Sequence, residues 1–283
     1  MAKHVIETFL ASPLLRGFVT CPYCSLIEDL TKEVLILKNE AALDLLPGTI
    51  HTSKNYGDFK VVDYRSTRSI VVQFVDTGCL VETNARVIRA TEIKDYLRPS
   101  IYGVGFLGIP QSKIDKKTYG HWISMLQRCY AGQEFRSSYL DKSVSVIWHN
   151  YSKFLDWSCS QVGFDKSGYQ LDKDILLKGN KEYGPEVCCF VPQKINSLLL
   201  GANKIRGDLP IGVHRSKKKY AANVCDGYGN QIYLGVHPTP IAAFQAYKEA
   251  KEIIIKKVAT EYKNDIDHRV YSALMQYSVE ITD

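Results

Sequence analysis

The residues best placed to do chemistry are the run His214, Arg215, Lys217, Lys218 and Lys219. Basic side chains packed this densely suit phosphate, because each cation that neutralises a phosphate releases counterions into solution. A solvated lysine-rich turn is the plainer reading of the same run. A second candidate is Cys21-Pro22-Tyr23-Cys24, which has the form of a dithiol redox motif or half of a zinc site. A redox role requires a buried strand before the pair and a parallel sheet after it, and neither pattern is present. No second CxxC completes a zinc site, so two ordinary thiols are expected.

The basic run needs a scaffold, and Ile211 to Lys251 supplies one. The stretch reads as three short strands, two turns and a helix. Tyr220, Val224, Ile232 and Leu234 alternate with polar neighbours, so one sheet face can pack while the other binds. Asp226-Gly227 and Gly229-Asn230 mark the second turn. Pro240 opens the helix, and Ala243, Phe244, Tyr247, Ala250 and Ile254 form its apolar stripe.

Upstream, Trp122, Met125, Leu126, Cys129 and Tyr130 fall on one helical stripe. A second helix is expected at Tyr151–Ser160. Residues 171–199 read as strand, Gly-Asn turn, a short strand at VCCFVP, and a helix starting near Pro192. Residues 99–118 are rich in Gly and Pro and read as a linker or an extended segment. Between 48 and 98 the runs FKVVDY, SIVVQFVDTG, CLVETN and ARVIRA suggest a small antiparallel β-barrel. The expected class is α+β: a helical segment at 1–47, the barrel at 48–110, a ββα unit with helices at 111–205, the basic sheet and helix at 206–263, and a tail at 264–283.

Composition narrows the partners. The chain has 283 residues, 45% hydrophobic and 23% charged, with net charge +6. Residues 201–263 hold eleven Lys or Arg against five Asp or Glu, so this region carries the whole excess. Such a local surplus is an electrostatic signature of nucleic acid. No window approaches the roughly 18 apolar residues of a membrane span. The N-terminus lacks a secretory apolar run, so a cytoplasmic protein is expected. A protein partner is the one role suggested for the barrel.

Residues 119–199 resemble phage proteins related to HNH homing endonucleases. The resemblance rests on YGHWISMLQRCY, VSVIWHNYSKFLDW and LDKDILLKGNKEYGPEVCCFVPQKIN. It implies a strand–turn–strand–helix unit that hydrolyses DNA phosphodiesters with one divalent metal, Mg²⁺ or similar. By this resemblance Asp172 is the acidic metal ligand and Asn196 the helix ligand. Lys173 stands where the general-base histidine is expected, and Val187 where the orienting Asn is expected. Lysine, with a reference pKa near 10.4, is a poor base at neutral pH. Three alternatives stay open. Asp174 acts with Asp172 on the metal; His149 or His121 supplies the base; or the unit is a catalytically dead DNA-docking module, as in a regulatory phage protein acting on host machinery.

Residues 211–251 resemble the DNA-binding domain of ethylene-response factors, the Apetala-type domain. The carrying stretches are IGVHRSKKKYAANV and QIYLGVHPTPIAAFQAYKEAK. The resemblance implies double-stranded DNA as partner, with the strands in the major groove. Its base- and phosphate-facing positions fall on His214, Arg215, Lys217, Lys219, Asn223, Gln231 and Tyr233, and Lys218 belongs to the same basic run. Several depart from the family: Ile211, Cys225 and Gln231 replace expected arginines, Asn223 a glutamate, and Tyr233 a tryptophan. With about four cations on phosphates, log K is expected to fall with log salt at a slope of roughly −3.6.

Overall fold

The computed structural model describes residues 40–132, 141–199 and 208–283. The helical segment expected at 1–47 lies mostly outside them, and Cys21 and Cys24 wholly so. Helices combine with mainly antiparallel sheets, an α+β arrangement. The chain divides into two compact units, 1–95 and 96–283.

In the first unit, β1 (Ile50–Ser53), β2 (Gly57–Ser66), β3 (Ser69–Phe74) and β4 (Leu80–Thr83) pair in sequence order, all antiparallel. Phe59, Val61, Ile70, Val72, Phe74 and Val81 point to one face and are buried. The sheet is open, not the closed barrel that the strand pattern suggested. Closure needs the two edge strands to meet with matching tilt and stagger, and β1 and β4 span four residues each without pairing to one another. ARVIRA, expected as a strand, is instead helix α1 (Ala85–Arg89). The side chain of Asn84 accepts a hydrogen bond from the Val87 amide, which caps the helix, and Ala85 and Ile88 bury at i, i+3 spacing.

The described residues of the second unit gather into two apolar cores. The first gathers around the tryptophans. It takes Trp122, Met125 and Leu126 from α2 (Lys116–Tyr130), Trp148, and Tyr151 and Phe154 from α3 (Tyr151–Cys159). Residues 99–118, expected as a linker or an extended segment, pack Ile101, Val104, Leu107, Ile109 and Ile114 against it. A Cβ at Gly105 would stand 2.6 Å from Leu126 Cδ1, so only glycine lets the backbone approach this closely.

A hairpin follows. Strand β5 (Ser143–Val144) pairs in parallel with β7 (Glu182–Tyr183), and β6 (Tyr169–Asp172) pairs antiparallel with β8 (Cys189–Pro192). Helix α4 (Gln193–Leu199) completes the expected strand–turn–strand–helix order. All four residues of β8 are buried. Phe190 faces the tryptophan core, while Cys189 and Val191 face the second core.

That second core lies under a sheet ordered β11-β10-β9, built from β9 (Val213–Ser216), β10 (Lys219–Cys225) and β11 (Gln231–His237). Helix α5 (Pro240–Glu261) packs beneath, started by Thr239, whose hydroxyl accepts from the Ala242 amide. Helix α6 (His268–Met275) adds Val270 and Leu274. Among the described residues no helix is long and apolar enough to cross a membrane.

Gly212 fixes how β9 meets α5. Its φ is +76°, and a Cβ there would lie 2.0 Å from Tyr247 Cδ2. Gly212→Ala combines left-handed strain with overpacking and is expected to cost about 3 kcal/mol. Urea denaturation followed by fluorescence checks this, and a midpoint equal to that of the parent would refute it.

Candidate functional site

Strand register decides which basic residues share a face. Tyr220, Ala222 and Val224 turn toward α5 and pack in the core. Residues paired across an antiparallel ladder point to the same side. Val213 pairs with Ala222, Arg215 and His237 with Tyr220, and Ile232 with Val224, so these lie on the helix side. His214 and Val236 pair with Ala221, Tyr233 with Asn223, Gln231 with Cys225, and Ser216 with Lys219. The outer face therefore carries His214, Lys219, Asn223, Gln231, Tyr233 and Val236.

Five of the eight residues expected to face DNA meet on this surface. Lys217 and Lys218 form the tip of the β9–β10 hairpin and are exposed. Lys217 sits at φ +52°, a left-handed conformation that a non-glycine side chain adopts only under strain. Arg215 is the exception. It lies on the helix side with its guanidinium 5.9 Å from the Tyr220 ring centre.

Two devices shape the far end of the sheet. Between the pairs Ala221–Val236 and Asn223–Tyr233, β11 advances one residue more than β10, a bulge at Leu234-Gly235 with Gly235 at φ +95°. The β10–β11 turn is organised by Asp226. Its Oδ1 accepts from the Tyr228 and Asn230 amides at 2.7 and 3.1 Å, and its Oδ2 from Asn230 Nδ2 at 2.9 Å. The Asn230 side-chain bond leads in holding the Asp226 carboxyl below the usual carboxylate range. Tyr228 is clamped in turn. Lys194 of α4 stacks on its ring, Lys257 of α5 lies 5.8 Å from the ring centre, and its hydroxyl donates to Glu261. Sequence reading missed this clamp because its members lie far apart in the chain, on three separate elements.

The hairpin–helix unit uses its polar residues differently. Asp172 Oδ1 accepts from the backbone amides of Asp174 and Ile175, both at 2.8 Å, and so caps the turn after β6. Burial pushes its carboxyl above the usual range, against the pull of those two bonds. The Lys173 side chain is buried. Its ammonium donates to Asp174 at 2.7 Å and to the Asn180 carbonyl at 2.6 Å, and lies 5.8 Å from the Tyr183 ring centre. Asn196 Nδ2 donates to Gln170 Oε1 at 2.8 Å. Val187 packs against the tryptophan core.

Asp172, Asp174 and Asn196 line one cavity of about 300 Å³, together with Lys178 and Lys251. Tyr277, Val279 and Asp283 close one wall of it. Lys178 fastens that wall through Asp283 at 2.8 Å and the Ser278 carbonyl at 2.9 Å. The two histidines lie toward the other core. His149 Nε2 is 3.3 Å from the Tyr130 hydroxyl, and the His121 ring stands edge-on to Phe190 at 5.4 Å. Burial, reinforced by Lys117 and Arg128, pushes His121 below the usual histidine range. Among the described residues no group of three His, Cys, Asp or Glu is gathered as a metal site. Asp172 and Asn196 supply two oxygen donors of a kind suited to Mg²⁺, a partial fit.

No family model, curated protein or solved structure matches this chain.

The capping role of Asp172 makes a separable prediction. Asp172→Ala leaves two backbone amides without an acceptor and is expected to cost about 2 kcal/mol or more. Asp172→Asn keeps an acceptor and removes the buried charge. The fold favours the neutral form of Asp172, so ionisation begins to oppose folding as the pH rises above the unfolded-state pKa, and the penalty is complete above the raised folded-state pKa. Asn is therefore expected to match or exceed the parent in melting temperature at pH 7, with the difference shrinking in acid as Asp172 protonates in both states. A melt series from pH 3.5 to 7.5 measures both variants. An Asn variant as unstable as Ala at pH 7 removes the capping account.

Proposed function

We propose that this protein binds double-stranded DNA through the outer face of its three-stranded sheet, with the hairpin lysines on the phosphate backbone. The carrying observation is the register that gathers His214, Lys219, Asn223, Gln231 and Tyr233 on one surface, with Lys217 and Lys218 at its edge. A small sheet fits the major groove, about 12 Å wide. The sequence resemblance to ethylene-response-factor domains supports the same reading, and so does the confinement of the positive excess to residues 201–263.

With Arg215 on the helix side, three lysines remain for phosphate. The slope of log K against log salt is then about −2.7, shallower than the sequence alone suggested. Lys217→Ala with Lys218→Ala is expected to bring it to about −0.9. Fluorescence anisotropy with a labelled duplex over 50–300 mM NaCl measures this. A slope near zero for the parent protein sinks the duplex-binding reading.

A second reading is metal-dependent hydrolysis of the bound DNA by the hairpin–helix unit. Its support is the opening of Asp172 and Asn196 into one cavity, joined to the resemblance to HNH homing endonucleases. A divalent metal held there would stabilise the charge that builds on the scissile phosphate. In the plasmid assay with Mg²⁺ or Mn²⁺, hydrolysis predicts nicking by the parent protein and its loss in Asp172→Asn, the variant that keeps the turn capped. No metal-dependent nicking, with DNA binding intact, leaves a non-catalytic DNA-binding protein. Equal nicking by both proteins rejects Asp172 as a metal ligand.

A further inference from the structure

The outer face of the sheet is poor in the side chains that recognise guanine and rich in those that recognise adenine. Guanine offers two acceptors in the major groove and is read by Arg or Lys, whereas adenine offers one donor and one acceptor and is read by Asn or Gln. Arg215 is on the far side of the sheet over Tyr220, and Lys219 lies at the hairpin end. Toward the β10–β11 turn the face instead carries two carboxamides, Gln231 exposed and Asn223 half-buried. Asn223 pairs with Tyr233 and Gln231 with Cys225, so the amides sit diagonally across β10 and β11. Such diagonal neighbours stand about 7 Å apart, close to two base-pair steps of about 3.4 Å each.

Two further observations bear on the same choice. Val236, 45% exposed on this face, offers an apolar surface of the kind that packs on the thymine methyl group. Asn223 Oδ1 is closed off from solvent and has no hydrogen-bond partner in the protein. An orphaned acceptor of this kind is costly, and the adenine N6 amino group is a donor of the right type to satisfy it once the neighbouring side chains shift. Cytosine is read by a carboxylate, and the strand positions of the outer face carry none. The nearest, Asp226, is already committed to its turn.

We propose that the sheet reads A·T base pairs from the major groove, with Asn223 and Gln231 on adenines and Val236 against a thymine methyl. This rests on the duplex-binding reading and adds base preference to it.

The test uses the full chain and three duplexes of equal length: alternating A·T, alternating G·C, and alternating I·C. An I·C pair presents a minor groove like A·T but a major groove like G·C, so it separates the two grooves. The expected result is binding to A·T about tenfold or more tighter than to either other duplex. That margin is expected to fall to about twofold or less in Asn223→Ala/Gln231→Ala. Gln231→Arg, an exposed change with little bearing on folding, is expected to shift preference toward G·C. Equal binding of all three duplexes by the parent overturns base readout while leaving duplex binding in place. Equal binding of A·T and I·C, both above G·C, places recognition in the minor groove and also overturns it. An undiminished A·T margin in the double variant removes the two amides from the account. Failure to bind any duplex removes the duplex-binding reading and this proposal together.

Discussion

The unit spanning residues 96–283 depends on one short strand with no exposed side. Strand β8 buries Cys189, Phe190, Val191 and Pro192 together. Phe190 enters the tryptophan core, and Cys189 and Val191 enter the core beneath the three-stranded sheet. A strand buried on both faces must be apolar at every position, which is why the segment reads as a continuous run and not as an alternation. Burial also pushes the Cys189 thiol up, and Cys188 just before the strand up to about 12, which keeps both protonated. The positions of Asp172 and Asn196 follow from this placement, because β8 holds β6 and its turn on one side and leads directly into α4.

The turn after β6 shows how polar residues are consumed by structure when they are buried. Asp172 has two backbone amides to satisfy, and Lys173 has a carboxylate and a carbonyl. An ammonium in such a place is stable only when its hydrogen bonds are made. Lys173 therefore pins Asp174 to the loop at Asn180, whose own amide donates to the Lys173 and Glu182 carbonyls. The position at which the resemblance to HNH proteins leads one to expect a histidine is thus occupied by a side chain with a defined structural task.

The three-stranded sheet achieves the opposite separation. Its inner face is committed to α5, and its outer face is left uncovered, with polar side chains beside Val236. The bulge at Leu234-Gly235 lets Leu234 stay with the core while Tyr233 and Val236 remain outside. The clamp on Tyr228 ties the β10–β11 turn to α4 and α5, so the sheet and the hairpin–helix unit are joined through side chains as well as through the core.

Much of the local structure was legible from the sequence. Period-two alternation, Gly-Asn turns and Pro240 placed β9, β10, β11 and α5, and the spacing from Trp122 to Leu126 placed α2. These patterns are local, and the chain carries them whatever it packs against. ARVIRA misled because a short run of Val and Ile suits a strand or a helix equally, and the Asn84 cap decided between them. The closed barrel failed for a related reason, since closure depends on where two distant edges lie. The sequence determined that a basic sheet with one packable face would form, because charge and alternation are written residue by residue. Only the tertiary structure decided which basic residues share that face, that Arg215 turns to the helix side, and that Asp172 and Asn196 open into one cavity away from both histidines. Those outcomes depend on pairing register and on contacts between residues far apart in the chain, and neither is fixed by local spacing.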